Sequence, residues 1–184
     1  MAEHPLEGFP RRILCLGVTG SGKSTLAGAI GSALEIPVHL VDEEFGWLPG
    51  WLGRDVDEQI RLASAAAADD SWVFDSAYGV YRAGIVERAQ LIICLDYPRW
   101  FSLARLLRRT IRRTVWQEPV CNGNYESWAR MLGRDSILRW HFQTFSNKRL
   151  QLRALEKELG TERVVRFASA RETQRWLASL TSHL

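Results

Sequence analysis

The 184-residue chain is poor in lysine, which occurs only at positions 23, 148 and 157 among its 24 basic residues. Arginine therefore carries most of the positive charge, and its planar fork suits oxyanions. Cysteine is scarce as well. Cys15, Cys94 and Cys121 form no CxxC pair, which argues against a disulfide framework or a zinc ribbon. Cys15 and Cys94 fall in expected strands and read as buried thiols. No apolar run approaches the length needed to span a bilayer, and the first ten residues lack the apolar core of a secretion signal. A cytoplasmic location, with no membrane partner, is the expectation. The net charge of +3 leaves acids and bases nearly balanced, which disfavours nucleic acid as the main partner. No repeat or low-complexity stretch interrupts the chain. Its length and 46% hydrophobic content suit one globular domain over 1–184.

What the chain does have is Gly17-Val18-Thr19-Gly20-Ser21-Gly22-Lys23-Ser24, a complete GxxxxGK[ST] phosphate-binding loop, followed by Thr25. An apolar run, Ile13 to Leu16, precedes it and a helix-like run to Leu34 follows, which is the strand–loop–helix setting the motif requires. Such a loop turns backbone N–H groups toward an anion and adds the positive end of a new helix. Lys23 would reach the outer phosphates, and the Ser24 hydroxyl would sit on Mg²⁺. The chain is expected to bind a nucleotide.

Apolar strands alternate with helices along the rest of the sequence. Expected strands cover 11–17, 36–41, 71–75, 90–96 and 163–167. Expected helices cover 24–34, 55–68, 79–88, 98–115, 126–158 (broken near 145–147) and 170–180. Residues 45–52 and 116–125 read as loops. This pattern predicts a parallel α/β sheet covered on both faces. Ligands in such sheets bind beyond the carboxyl ends of the strands. Asp42, Asp75 and Asp96 each close a strand there. Asp42 could orient or deprotonate an acceptor hydroxyl. Asp75 and Asp96 both fit the apolar-run-then-acid pattern that holds Mg²⁺ through water. Asp75 is preferred, because Asp96 can be explained as a cap on the helix that begins at Pro98.

In that helix, Trp100, Leu103, Ala104, Leu107, Ile111 and Val115 share one broad side, and Arg105, Arg108, Arg109, Arg112 and Arg113 gather on the other. The arginine side reads as a solvated face, a clamp on phosphates, or a strip for a nucleic-acid backbone. Trp72 and Trp140 read as core. Trp47 and Trp51, in the loop after Asp42, could wall a flat acceptor. Arg82 could meet an acceptor anion. His39 and His141 show no metal-ligand spacing and read as structural.

Taken together, these residues make the chain resemble the adenylate-kinase-related branch of P-loop kinases, and more narrowly the bacterial topology modulation proteins. The motifs that carry the resemblance are the phosphate loop; Val41-Asp42 with Trp47-Leu48-Pro49-Gly50-Trp51; Asp75 with Tyr78 and Arg82; Leu95-Asp96-Tyr97-Pro98-Arg99-Trp100; the arginine helix; Asn122-Gly123-Asn124; and Arg134-Asp135-Ser136-Ile137-Leu138. The resemblance implies a three-layer α/β/α fold with a five-stranded parallel sheet ordered 2-3-1-4-5. It also implies an acceptor-binding segment at about 43–70 and a lid at about 113–134. It places Arg105 against the adenine, Arg109 on the phosphates, Arg134 as the arginine returning from the lid, and Arg82 on an acceptor phosphate. The narrower group usually has Asp-Gly-Asn-Tyr where this chain has Asp75-Ser76-Ala77-Tyr78, so acceptor contacts there are expected to differ.

The expected activity is transfer of the γ-phosphate of ATP, with Mg²⁺, to a small, aromatic or nucleotide-like acceptor, by a monomer or homodimer. Gly17, Thr19, Gly20, Ser21, Gly22, Lys23, Ser24 and Thr25 would hold the nucleotide together with Arg105. Lys23, Asp42, Arg109 and Arg134, or Arg113, would act in transfer. Trp47, Trp51, Arg82 and Asp42 would meet the acceptor, and Ser24 and Asp75 would place the metal. The alternative is a nucleotide-dependent regulator that binds DNA or protein through its arginine face.

Overall fold

The computed structural model describes residues 9–133 and 136–181. Five parallel strands form its sheet: β1 (Arg12–Gly17), β2 (Val38–His39), β3 (Trp72–Phe74), β4 (Leu91–Leu95) and β5 (Val164–Phe167). Their spatial order is β2-β3-β1-β4-β5, the expected 2-3-1-4-5. β1 is central, with Leu14 opposite Phe74 on one side and Ile92 on the other.

Alternate residues of these strands feed two separate cores, which is why the strands read as continuous apolar runs. Leu14, Leu16, Trp72, Phe74, Ile92 and Cys94 face one side. There they pack on Ala63 of α2 (Val56–Ala66), Ile85 of α3 (Arg82–Arg88) and Leu152 of α6 (Ile137–Leu159). Ile13, Cys15, Val73, Ile93 and Leu95 face the other side, against Leu26, Ala27 and Ile30 of α1 (Lys23–Leu34) and Leu180 of α7 (Ala170–Thr181). Three layers result. α4 (Arg99–Trp116) and α5 (Trp128–Leu132) complete the helices. Two small hairpins, Trp47–Leu48 with Leu52–Gly53 and Pro119–Val120 with Asn124–Tyr125, lie outside the sheet.

Several elements differ from the sequence expectation. The second strand is only two residues long, and a five-residue π-type turn over Asp42–Gly46 follows it. α6 is one unbroken helix through 145–147. Trp140 is half exposed rather than core. The largest correction concerns α4, whose expected apolar side faces water: Trp100 is 71% exposed, and Leu107, Ile111 and Val115 are also exposed. Its buried positions are Ser102, Leu106, Thr110 and Thr114. The cause is close packing over the phosphate loop. A Cβ at Gly20 would lie 2.4 Å from the Ser102 carbonyl oxygen and 2.9 Å from Leu106 Cβ, so the turn of α4 that carries Ser102 and Leu106 is the one that faces the loop.

Asp96 is not a cap on α4, which begins after Pro98 without any side-chain cap. Its buried carboxylate instead accepts from Arg149 and Arg153 of α6 and Arg166 of β5. Burial alone would raise its pKa, but the hydrogen bonds from Arg149 and Arg153 outweigh that and hold it below the usual carboxylate range. This ionic knot seats α6 on the edge of the sheet.

A carboxylate depressed in the fold contributes stability above its unfolded pKa of about 4, and that stability is lost as pH falls through the lower folded value. Asp96→Asn should therefore cost about 2–3 kcal/mol at pH 7, less than a fully buried pair because the arginines rehydrate. The difference from wild type should shrink as the pH falls below about 4. Urea unfolding at a series of pH values checks both statements.

Candidate active site

The phosphate loop joins β1 to α1, and its shape follows from its glycines. Gly20 and Gly22 take left-handed backbone angles (φ 84° and 97°) that favour glycine. Gly22 occupies the capping position of α1, so no side chain satisfies the first helical N–H groups. Those groups stay available to an anion. Lys23 Nζ folds back to donate to the Val18 carbonyl at 3.1 Å. The Ser21 hydroxyl is buried with no hydrogen-bond partner. Arg105 lies against Gly22, its Nη2 2.8 Å from where a Cβ would be, and its guanidinium stands over the Phe101 ring.

Asp75, just past the end of β3, joins this loop to the next strand. Its Oδ2 accepts from the Ser24 hydroxyl at 2.5 Å and its Oδ1 from the Val41 N–H at 2.9 Å. Burial raises the Asp75 pKa, and the bonds from Ser24 and Val41 oppose that rise. A hydroxyl and a carboxylate side by side form a hard-oxygen donor set suited to Mg²⁺. Among the described residues no cluster of three or more acidic, cysteine or histidine side chains could hold a metal alone. Asp96, tied up by its three arginines, has no comparable arrangement.

Asp42 is exposed at the mouth of the cleft. Tyr78 donates to its Oδ1 at 2.5 Å. The approach is possible because residue 46 is glycine; a Cβ there would lie 2.2 Å from the Tyr78 oxygen. Burial first, and then the Asp42 charge, push the Tyr78 hydroxyl well above its ordinary value, so it remains a donor. Tyr78 belongs to a motif in the sequence that carries no direct sign of this contact. The Asp75-x-x-Tyr78 spacing is its only signal.

Positive charge converges on the same cleft. Burial pulls the Lys23 ammonium down to about 8, with repulsion from Lys148 next and a smaller contribution from Arg109, while Asp75 and Asp42 oppose the fall. Arg109 is lowered by burial and by Arg113, and Asp42 attracts it. Arg82 is anchored more firmly than expected. Its Nε and Nη2 both donate to the Ala77 carbonyl at 3.2 Å, and its Nη1 donates to Gln151 of α6 at 3.1 Å. Arg112 pairs with Glu118 at 3.0 Å. Arg105, Arg109 and Arg112 of α4 are thus divided among the loop, the Asp42 side and a local ion pair. Arg134 lies outside the described residues.

Trp47 and Trp51 meet edge to face, with ring centroids 5.8 Å apart. Trp51 also docks the hairpin at 119–125. Its N–H donates to Asn124 Oδ1 at 2.7 Å, its indole N–H donates to the Tyr125 carbonyl at 3.1 Å, and the Arg130 guanidinium covers its ring at 4.4 Å. Asn124 donates to the Leu48 and Cys121 carbonyls, and Asn122 to those of Glu43 and Trp47. Two asparagines therefore stitch the segment after α4 onto the segment after Asp42. The Asn122-Gly123-Asn124 motif was visible in the sequence, but its partners, more than seventy residues away, were not.

The arrangement matches known three-dimensional structures. A gluconokinase from Sinorhizobium meliloti 1021 aligns with TM-score 0.53 at 21% identity, covering 95% of each chain. A shikimate kinase from Acinetobacter baumannii, solved with shikimate, aligns with TM-score 0.59 at 14% identity, covering 96% of each. A shikimate kinase from Bacteroides thetaiotaomicron gives 0.53 at 14% identity, covering 94% of this chain and 97% of its own. The fold is that of the P-loop kinases. At these identities the likeness speaks for the fold alone. No protein-family model matches the chain, and no curated protein matches it by sequence. No helix among the described residues is long and apolar enough to cross a membrane.

Asn124→Ala should leave the Trp51 N–H and two carbonyls unsatisfied, at about 1–3 kcal/mol, confined to the two hairpins. Amide exchange at 47–53 and 119–125 should quicken by roughly ten- to a hundredfold while the sheet keeps its protection. Hydrogen-exchange mass spectrometry reads this directly.

Proposed function

We propose that the chain is an ATP- and Mg²⁺-dependent phosphotransferase that moves a γ-phosphate to a hydroxyl of a small acceptor. The observation that carries this reading is the position of Asp42, which is held by Tyr78 and shares one charge cluster with Lys23 and the Ser24–Asp75 pair. A loop that only gripped a nucleotide would have no use for an exposed, oriented carboxylate on its far side.

Residues 17–25 would cradle the triphosphate, with Lys23 on its outer oxygens and Arg105 beside the nucleotide. Ser24 directly, and Asp75 through water, would hold Mg²⁺, which when bound shields the phosphate oxygens. Asp42 would take the proton of the acceptor hydroxyl as its oxygen attacks the γ-phosphorus. The bond from that phosphorus to the bridging β-γ oxygen would break, and ADP would leave. Lys23 and Arg109 would neutralise charge on the transferring group, with Arg113 or Arg134 in support. Residues 43–70 would enclose the acceptor, with Trp47, Trp51 and Arg82 lining that side. Residues 113–134 would act as a lid that keeps water out. The docked hairpin supports the lid reading, because it closes over that segment through Asn122, Asn124 and Trp51. Membership in the topology modulation group rests on the motifs alone. A regulator acting through a basic strip has no support in how the α4 arginines are distributed.

The test is an ADP-release screen across gluconate, shikimate, nucleoside monophosphates, nucleosides and aromatic alcohols. Gluconate and shikimate are included because the structural neighbours are named for them. One acceptor class should give turnover, and Asp42→Asn should lower it by about 10²–10⁴-fold. Unchanged ATP binding and turnover in Lys23→Ala would end this reading.

A pH dependence follows from the lowered Lys23. Phosphate binding requires the ammonium, which in the free protein gives up its proton near pH 8. Nucleotide affinity should hold below pH 8 and fall above it, approaching tenfold per unit, with proton uptake on binding. Calorimetry in buffers of different ionisation enthalpy detects that proton.

A further inference from the structure

Lys148 of α6 has no assigned role, and its surroundings give it one. α6 is fixed at two points beside the cleft. His141 shares a 3.1 Å hydrogen bond with the Thr19 carbonyl of the phosphate loop. Gln151 accepts from Arg82 at 3.1 Å. Lys148 lies between them. It follows His141 by seven residues, two helical turns and about 20° of net rotation, so it projects from the side of α6 that meets the loop, about 10 Å further along. The next residue, Arg149, turns away to Asp96, and with Arg153 it locks the rotation of the helix.

The charges agree with that placement. Lys148 repels Lys23 more strongly than any other group does, and Arg82 and Asp42 are the charges that act on Lys148 itself. Burial lowers Lys148, with repulsion from Arg82 second. Among the described residues no carboxylate reaches ion-pair distance of its ammonium; the nearest recorded contact is the Trp140 ring, 5.8 Å from Nζ. Asp42 offsets part of the charge on both ammonium groups, yet both remain lowered, so the pair gains from an anion that approaches the two together. A lysine held for packing would instead be paired with an acid or released to water.

We propose that Lys148 contacts the terminal phosphate of the bound triphosphate from the side opposite Lys23, next to Asp42. Lys23 and Lys148 then grip the group that moves from two directions, one from the donor loop and one from α6. This assignment rests on the phosphotransferase reading, since it needs a triphosphate in the loop.

Binding of Mg²⁺ with a non-hydrolysable ATP analogue, and separately with ADP, tests the proposal without any acceptor. In Lys148→Met the analogue should bind at least tenfold more weakly while ADP stays within twofold of wild type. Lys148→Arg should recover most of the loss. A purely structural lysine would shift both nucleotides together or neither, and either result overturns the assignment. Lys148→Gln gives the same discrimination if the methionine variant does not fold. If Lys23→Met abolishes binding of both nucleotides while Lys148→Met changes neither, the phosphotransferase reading stands and the role of Lys148 falls. If wild type binds neither nucleotide, both fall.

Discussion

One buried carboxylate holds the site together. Asp75 accepts from Ser24 on the phosphate loop and from the backbone of Val41, immediately before Asp42. Loop and acid belong to different strands and are brought into register through β3, which pairs with both β1 and β2. Beyond the ladder that ends at the Asp75 N–H to His39 carbonyl bond, that shared acceptor ties the first residues after β2 to the loop. The Tyr78 contact, the Gly46 backbone and the stitched hairpins all build outward from the position that Asp75 sets.

Much of this was legible in the residues because it is local. The phosphate loop declares itself through its motif, with Gly20 and Gly22 at angles that favour glycine. The strands declare themselves through runs such as Leu91–Leu95, buried on both faces. The acids at strand ends follow from where an open parallel sheet places ligands. The parallel α/β fold could therefore be anticipated from the residues, whereas the strand order came from the resemblance to the P-loop kinases.

What escaped the sequence depends on contacts distant along the chain. Periodicity in α4 selects Trp100, Leu107 and Ile111 as the core-facing stripe, because a pattern reader assumes that large apolar residues face inward. The true inner stripe is Ser102, Leu106, Thr110 and Thr114, and its first two members meet the phosphate loop at Gly20. Asp96 escaped in a similar way. A carboxylate before a proline-led helix suggests a cap, but three arginines arriving from α6 and β5 claim it. Lys148 sits in a helix of ordinary composition and acquires meaning only from what lies across the cleft.

The tight crossing of α4 over Gly20 has a mechanical side. The helix has 18 residues and touches the phosphate loop near its start, at Ser102 and Leu106. Its other end, about 27 Å from its start at 1.5 Å per residue, leads into the hairpin that Trp51 and the two asparagines hold down. At the crossing there is contact without slack, so the helix is a stiff arm whose fulcrum lies at the phosphate loop. From that crossing to the far end is about 15–21 Å, so a tilt of about 10° there would carry the end through roughly 3 Å, comparable to the length of the hydrogen bonds that fasten the hairpin. The phosphate loop and the stitched hairpins are thus linked by a single helix.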